Sequence, residues 1–232
     1  MGNAVKMPAS VDLIVPYLPD GGLRDKNFHY LTSLWEEYYP TLKICVGSPK
    51  GPLWNKAEAL DEAVGKARAK TLIVADADVW CTPAQLIQAV NYVDQRRTWA
   101  IPHQKVVRLD ESTSAQWTPD YKGKIRCARA PYVGVPGGGL FVVRHEDYLR
   151  VPMDPRFKGH SGQDIAWAHS ADTLLGRHTR FFGRLIHLWH PEQVTKGDPT
   201  FSKPNFRLMG EYARARGNRT HMRRLVDSAR IL

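Results

Sequence analysis

Three short apolar runs, each followed by an amphipathic segment, occupy the first hundred residues and restrict the fold more than any other feature of the chain. Val11 to Val15 reads as a buried strand that runs into the Pro- and Gly-rich loop "PYLPDGG". Phe28, Leu31, Trp35 and Tyr38 then recur at helical spacing along one stripe. "LKICVGSP" (Leu42 to Pro49) is a second strand closed by turn residues. It is followed by a helix, "WNKAEALDEAVGKARA", with Ala57, Leu60, Val64 and Ala67 on its inner face. "TLIVADADV" is the third strand, and Thr82 and Pro83 are suited to cap and open the helix after it. Strand–helix units of about 30 residues predict βαβ crossovers and a parallel sheet. Ligands of such sheets bind beyond the carboxyl ends of the strands. Pro16, Tyr17, Gly47, Ser48, Asp76 and Asp78 all fall there.

The second half is less regular. Residues 101–132 mix short apolar runs with polar and basic ones, and are expected to form strands or long loops over that rim. Three glycines, Gly137 to Gly139, precede a buried strand, Leu140 to Val143. "HSGQDIAWAHSADTLLG" predicts a helix capped near Ser161 and ended by Gly176. "FFGRLIHLWHP" is a late strand carrying His187 and His190. "TKGDPTFSKPNF" reads as a loop, followed by two short basic helices around "GEYARARGN" and "THMRRLVDSARIL". With 232 residues, 43% of them hydrophobic, the chain suits one domain with a proper core. The expected division is one domain over residues 1–200, in halves of about 10–100 and 101–200, with a basic helical extension over 201–232 packed on the same domain.

No apolar run is long enough to cross a membrane, and "MGNAVKMPAS" lacks the apolar centre of a signal peptide. Lys6 stands where a myristoylation signal needs Ser or Thr. Cys45, Cys81 and Cys127 are scattered, without metal-ligand spacing, which favours a reducing compartment. The expectation is a cytoplasmic protein with no membrane partner.

The net charge is +10, and two segments concentrate it. Residues 96–129 hold eight Lys or Arg against three acids, and residues 203–232 hold eight against two. Such faces fit phosphate-bearing partners, although a solvated cationic surface accounts for either cluster taken alone. Asp76 and Asp78 end the third strand, and alternate residues of an extended segment share a face. Two carboxylates held together repel unless they are solvated or share a cation. Asp164 falls in the first turn of its helix, where an acid suits the helix dipole or could serve as a general base. Three apart on a regular strand, His187 and His190 point to opposite faces, so only one is expected at the rim, where it could complete an Asp/His metal site. The glycine run lacks dinucleotide spacing; it is either a plain turn or a bare backbone wall for a substrate.

In their order, "VDLIVPY", "WNKAEALDEA", "LIVADADV", "GGGLFVVRHEDY", "GQDIAW" and "HLWHP" resemble the GT-A glycosyltransferases that use nucleotide-sugar donors. The second half is similar to that of galactosyltransferase-like members. The likeness spans most of residues 11–191. It implies a Rossmann-like GT-A fold: a mixed, mostly parallel sheet flanked by helices, in a single domain with a basic helical tail. It implies a donor that is a nucleoside-diphosphate sugar, a UDP-sugar foremost, and a Mn²⁺ or Mg²⁺ cofactor. Asp76 and Asp78 look like the D-x-D pair, with His187 or His190 as the further metal ligand. Pro16, Tyr17, Lys56, Asp76, Gly138 and Gly139 would border the donor. Asp164 takes the place of the catalytic acid motif as general base of an inverting transfer, with Gln163 where many relatives carry Glu.

The acceptor is less legible. A compact basic chain without an anchor fits an anionic acceptor, and the sharpest candidate is DNA, as in phage enzymes that glycosylate hydroxymethylated pyrimidines, which would place the protein in the host cytoplasm. Gln163, Trp117, Tyr132, Arg214 and Arg216 are the acceptor-side candidates, the arginines (with Arg207, Arg219, Arg223 and Arg224) as phosphate contacts and the aromatics as stacking faces. Small-molecule, glycan and protein acceptors remain open. So do a nucleotidyltransferase, which would also want aspartates at a strand end but not the histidine strand or the glycine run, and a non-catalytic nucleic-acid-binding module, which alone would not need Asp76, Asp78 and Asp164.

Overall fold

The computed structural model describes residues 6–7, 10–96, 98–192 and 198–230. In chain order its elements begin with β1 (Val11–Pro16), α1 (Leu23–Tyr38), β2 (Lys43–Gly47), α2 (Lys56–Lys66), β3 (Thr71–Ala75) and β4 (Val79–Trp80). Next come α3 (Pro83–Arg96), β5 (Ala100–Ile101), β6 (Lys105–Arg108), α4 (Glu111–Ser114), β7 (Tyr132–Val133) and β8 (Leu140–Arg144). The chain ends with α5 (His145–Arg150), α6 (Gln163–Leu174), β9 (Thr179–Arg180), β10 (Arg184–His187), α7 (Pro199–Arg214) and α8 (Arg219–Ala229).

The main sheet has six strands in the order β2-β1-β3-β8-β5-β9. β1 runs parallel to both β2 and β3, β8 is antiparallel to β3 and β5, and β9 is parallel to β5. The sheet is therefore mixed and mostly parallel, with helices on both faces. Alternation along the strands explains why. Leu13, Val15, Ile73 and Val142 pack toward α1 and α3, whereas Ile14, Leu72, Val74 and Phe141 pack toward α2 and α6. A second cluster beyond α6 joins Ala166 and Leu174 to Tyr212, Met222 and Val226 of the last two helices. Gly47 allows the closest approach of these layers, since a Cβ there would lie 2.1 Å from the Ala59 carbonyl oxygen of α2.

A smaller sheet, β4-β10-β6-β7, sits over the carboxyl ends of β1 and β3. β10 pairs antiparallel with β4, setting His187 opposite Val79, and parallel with β6, setting His187 beside Arg108. Residues 101–132 thus supply the strand on which the histidines are hung.

Four boundaries differ from the sequence reading. The third strand stops at Ala75, and a turn separates Asp76 from Asp78. α6 is capped by Gly162 at φ 88°, after Ser161 at φ 94°, with no side-chain cap. The late strand ends at His187, so His190 is outside it. Residues 199–206, read as loop, belong to α7: the Asp198 side chain accepts from Thr200 N–H, and Pro199 opens the helix. Pro204 signals a break, but the helix continues through it, held by Asn205, whose side chain bridges the Lys158 and His160 carbonyls. The first three residues of that loop, 195–197, lie outside the described residues.

Candidate active site

A cavity of about 570 Å³ opens at the carboxyl ends of β1 and β3. Pro16, Tyr17, Asp76 and Asp78 line one side, and Ser161 to Asp164 at the start of α6 line another. Arg108, His187 and His190 close it from the smaller sheet.

Asp78, His187 and His190 present one donor atom each, all within 4.8 Å of one another. The β10–β4 pairing makes this meeting, because Leu188 N–H donates to the Asp78 carbonyl at 2.9 Å. Beyond His187 the chain turns, pinned by Asn27 on the Trp189 carbonyl and by Ser114 Oγ on Trp189 N–H. His190 is thereby swung back to the same carboxylate, and both histidines reach it rather than one. His190 Nε2 is 2.9 Å from Asp78 Oδ2, and His187 Nε2 is 3.6 Å from Oδ1. Each ring has its Nδ1 beside a backbone carbonyl, Leu188 at 2.8 Å and Pro191 at 2.7 Å, where an N–H must donate. An Nδ1–H tautomer leaves each Nε2 as a lone pair aimed at Asp78, whereas a protonated ring donates to that carboxylate instead.

Lone pairs facing a carboxylate require a cation or protons between them. Burial alone would push Asp78 up, but His187, His190 and Arg24 hold it well below the usual carboxylate range. Burial lowers His187, favouring its neutral, ligating form. Asp78 is 7% exposed and its Oδ1 has no hydrogen-bond partner. One carboxylate, two oriented imidazoles and an orphaned buried oxygen fit a divalent metal ion.

Asp76 has a different partner. Lys56, the first residue of α2, reaches Asp76 Oδ1 at 2.8 Å and Asp164 Oδ1 at 2.9 Å. Asn55 positions it by capping α2: its side chain accepts from Glu58 N–H and donates to the Glu58 carboxylate. Burial would lower Lys56, but the Asp164 and Asp76 carboxylates override it and raise the ammonium, which stays charged. Asp164 is raised by burial, opposed by Lys56. Of the two acids, Asp76 thus faces an ammonium and Asp78 faces the histidines.

The other expected site residues are distributed unevenly. Tyr17 borders the cavity, stacks on Phe28 at 3.9 Å between centroids and donates its hydroxyl proton to Asp25. Gln163 borders it too, with Oε1 buried and unpartnered. Gly138 and Gly139 do not line the cavity. They lie behind it: a Cβ on Gly138 would lie 3.3 Å from Asp164 Oδ2 of α6, one on Gly139 would meet Leu185 of β10, and the Gly139 carbonyl accepts from Asp76 N–H. Trp117 is 6% exposed in the core, so it offers no stacking face. The Tyr132 ring is covered by the Arg129 guanidinium, 3.9 Å from its centroid. Arg214 and Arg216 are exposed but do not border the cavity. Sequence reasoning missed Arg24, Trp54, Arg108 and His160, which do. Arg24 lies over His190, Nη2 3.2 Å from Nδ1, and its buried Nε has no partner. Its only sequence signal was its place just after the Pro- and Gly-rich loop that follows the first strand, in the first turn of α1.

The mostly parallel sheet with its antiparallel β8 and the smaller sheet beside it have the fold of solved GT-A glycosyltransferase structures. Glucosyl-3-phosphoglycerate synthase from Mycobacterium tuberculosis, solved with Mn²⁺, UDP-glucose and phosphoglyceric acid, is similar in structure at a TM-score of 0.51 and 12% identity, over 90% of this chain and 80% of that one. GalNAc-T7, solved with UDP, GalNAc and Mn²⁺, gives a TM-score of 0.53 at 15% identity, over 96% of this chain and 54% of that one. At these identities the likeness establishes the fold. No protein-family model and no curated protein matches the sequence.

Proposed function

We propose that the chain is a metal-dependent glycosyltransferase that moves a sugar from a nucleoside-diphosphate sugar, a UDP-sugar foremost, to an acceptor hydroxyl. The observation that carries this reading is the Asp78–His187–His190 cluster in one cavity with the Lys56-bridged pair Asp76 and Asp164. Asp78 and the two histidines would hold Mn²⁺ or Mg²⁺, which supplies positive charge for the departing diphosphate. Arg24 and Arg108 flank the same cluster and add to that charge. Tyr17, Pro16 and Asp76 border the nucleotide.

Asp164 is the general base. The acceptor oxygen attacks the anomeric carbon as its proton passes to Asp164, the bond from that carbon to the phosphate oxygen breaks, and the electron pair leaves with the nucleoside diphosphate. Attack opposite the leaving group inverts the anomeric centre. Lys56 steadies Asp164 in its ionised form while Asp164 waits for the acceptor. The acceptor we propose is a hydroxymethylated pyrimidine in DNA, favoured by the charge of +10 and by a cationic cavity mouth. No helix among the described residues is long and apolar enough to cross a membrane.

The test is release of nucleoside diphosphate from a panel of UDP-, GDP- and TDP-sugars with Mn²⁺ or Mg²⁺, with Asp78→Asn run alongside. Metal-dependent release from one donor, lost in the variant and accelerated by hydroxymethylated DNA, is the expected result. Absence of both release and donor-induced thermal stabilisation across the panel would remove the transferase reading.

A further inference from the structure

Basic residues lie in two places, and only one of them leads into the cavity. Behind Arg108, the segment 126–128 pairs back along the end of β6: Asp110 N–H donates to the Arg126 carbonyl and Ala128 N–H to the Arg108 carbonyl, both at 3.0 Å. This pairing fixes Ala128 and Arg129 on the cavity wall, and Lys122, Lys124 and Arg126, just before them in the chain, are all exposed and form with them a basic ridge in sequence. At the mouth, Arg108 Nε donates to the Tyr132 hydroxyl at 3.0 Å while Arg129 covers the face of the same ring. Two guanidiniums thus share one phenol. Among the described residues, no carboxylate lies within 4.0 Å of the charged groups of Arg108, Arg129, Lys122, Lys124 or Arg126. Of the acids in the same stretch, Asp110 faces Arg126 but is engaged in capping α4 at Thr113 N–H, and Glu111 and Asp120 are exposed.

Arg219, Arg223 and Arg230, of the last helix and its end, run the other way. Arg219 donates to the Thr173 and Leu174 carbonyls at the far end of α6, about 15 Å along that helix from Asp164. Arg223 and Arg230 are tied to the carbonyls of Arg150 and Leu149. These contacts fasten α8 to the body of the protein, and they face away from the chemistry.

We infer that the ridge Lys122–Lys124–Arg126, continued by Arg129 and Arg108 at the cavity mouth, is the docking track for the phosphodiester backbone of a DNA acceptor, and that the C-terminal helices are not. The inference rests on the proposed transferase reading and assigns its acceptor surface. A chain of phosphates needs a row of cations leading to the site, whereas a small phosphorylated acceptor would need only the Arg108–Arg129 pair. The row is present. A target base would have to leave its stack to bring a hydroxymethyl group to Asp164, and backbone contacts on the ridge would hold the flanking strand during that excursion.

The experiment compares wild type with two charge-reversed proteins, K122E/K124E/R126E and R214E/R216E/R224E, none of these positions being part of the catalytic machinery. Binding of a fluorescein-labelled duplex containing 5-hydroxymethylcytosine is followed by anisotropy across a salt series. Donor hydrolysis and melting temperature are measured in parallel. The ridge variant is expected to lose at least about tenfold in affinity and about three from the slope of log K against log salt, at about 0.9 per phosphate. Its donor hydrolysis should be unchanged, and the C-terminal variant should bind as wild type does. Should the ridge variant melt early, K122Q/K124Q/R126Q replaces it, with a smaller loss in the same direction. Wild-type affinity in the ridge variant, a loss confined to the C-terminal variant, or no DNA binding by the wild type would each overturn the inference. Loss of DNA binding on the ridge in a protein that releases no diphosphate from any donor would leave this surface standing and remove the transferase reading instead.

Discussion

Replacing Lys56 with methionine tests the centre of the site. Lys56 is 5% exposed and its ammonium touches two carboxylates at 2.8 and 2.9 Å. A charge pair at about 4 Å is worth about 4 kcal/mol at the effective dielectric of a partly wetted site. Breaking a buried pair costs about 3–5 kcal/mol, because the stranded charge stays desolvated. Asp76 and Asp164 keep side-chain exposures of 34% and 24%, so water recovers part of that loss, and about 2–3 kcal/mol remains. For a chain of this length that is a drop in Tm of about 5–10 °C. The chemistry should respond more specifically. Asp164 already sits above its ordinary value because of burial, with Lys56 pulling it back and Asp76 pushing it further up. Without Lys56 only the upward influences remain, and loss of an opposite charge at this range moves a carboxylate by about 1–2 units. A general base works once it is deprotonated, so the acid limb of kcat/KM against pH should move to higher pH by that amount. The linkage sign gives a second readout. A carboxylate raised in the folded state favours folding when protonated, and its contribution declines as pH rises through the raised value. The Tm gap between K56M and wild type should therefore narrow from about pH 7 toward about pH 4. An acid limb that stays in place, with a Tm gap independent of pH, would refute both the coupling and the assignment of Asp164 as base.

Mn²⁺ in roughly hundredfold excess over its dissociation constant should stabilise the wild type by about 2.7 kcal/mol, reversed by a chelator; in Asp78→Asn the thermal shift should vanish while the apo protein still melts cooperatively. Two imidazoles among three ligands disfavour the hard, oxygen-seeking Mg²⁺, so half-saturation in the same thermal assay should need at least about tenfold less Mn²⁺ than Mg²⁺. Arg24→Ala removes a guanidinium whose buried Nε awaits an acceptor, and titration calorimetry with UDP should show affinity weakened by about tenfold or more. Gly47→Ala would force a methyl to within 2.1 Å of the Ala59 carbonyl, pushing α2 off the sheet; a loss of about 1–3 kcal/mol or more is expected in urea unfolding.

Elements whose signal is local were readable in the sequence, and the site was readable only where it sat on them. The three parallel strands and their helices follow from periodicity, because each buries one face on its nearest neighbours in the chain. The histidines show the opposite case. Counted along a strand they must diverge, yet the strand ends at His187, and contacts from Asn27 and Ser114, 162 and 75 residues away along the chain, fold His190 back. Nothing within the segment encodes that turn. Trp117 misled for a related reason: set among basic residues it looked like a stacking platform, but its surroundings come from α1, where Tyr30 donates to its carbonyl. Asp76 and Asp78 combine both cases. Their spacing drew attention to the strand end, but the reading of both acids on one face assumed an extended backbone, and the turn after Ala75 breaks the alternation. One acid is turned toward Lys56, which also holds Asp164, and the other toward the histidines. This division lets a single dipeptide step serve both ends of the proposed reaction. In the proposed mechanism Lys56 would connect Asp76 to Asp164, the residue assigned the acceptor's proton, while Asp78 would help hold a metal supplying charge for the leaving group. A rigid β3–β4 turn thereby fixes the distance between those two ends.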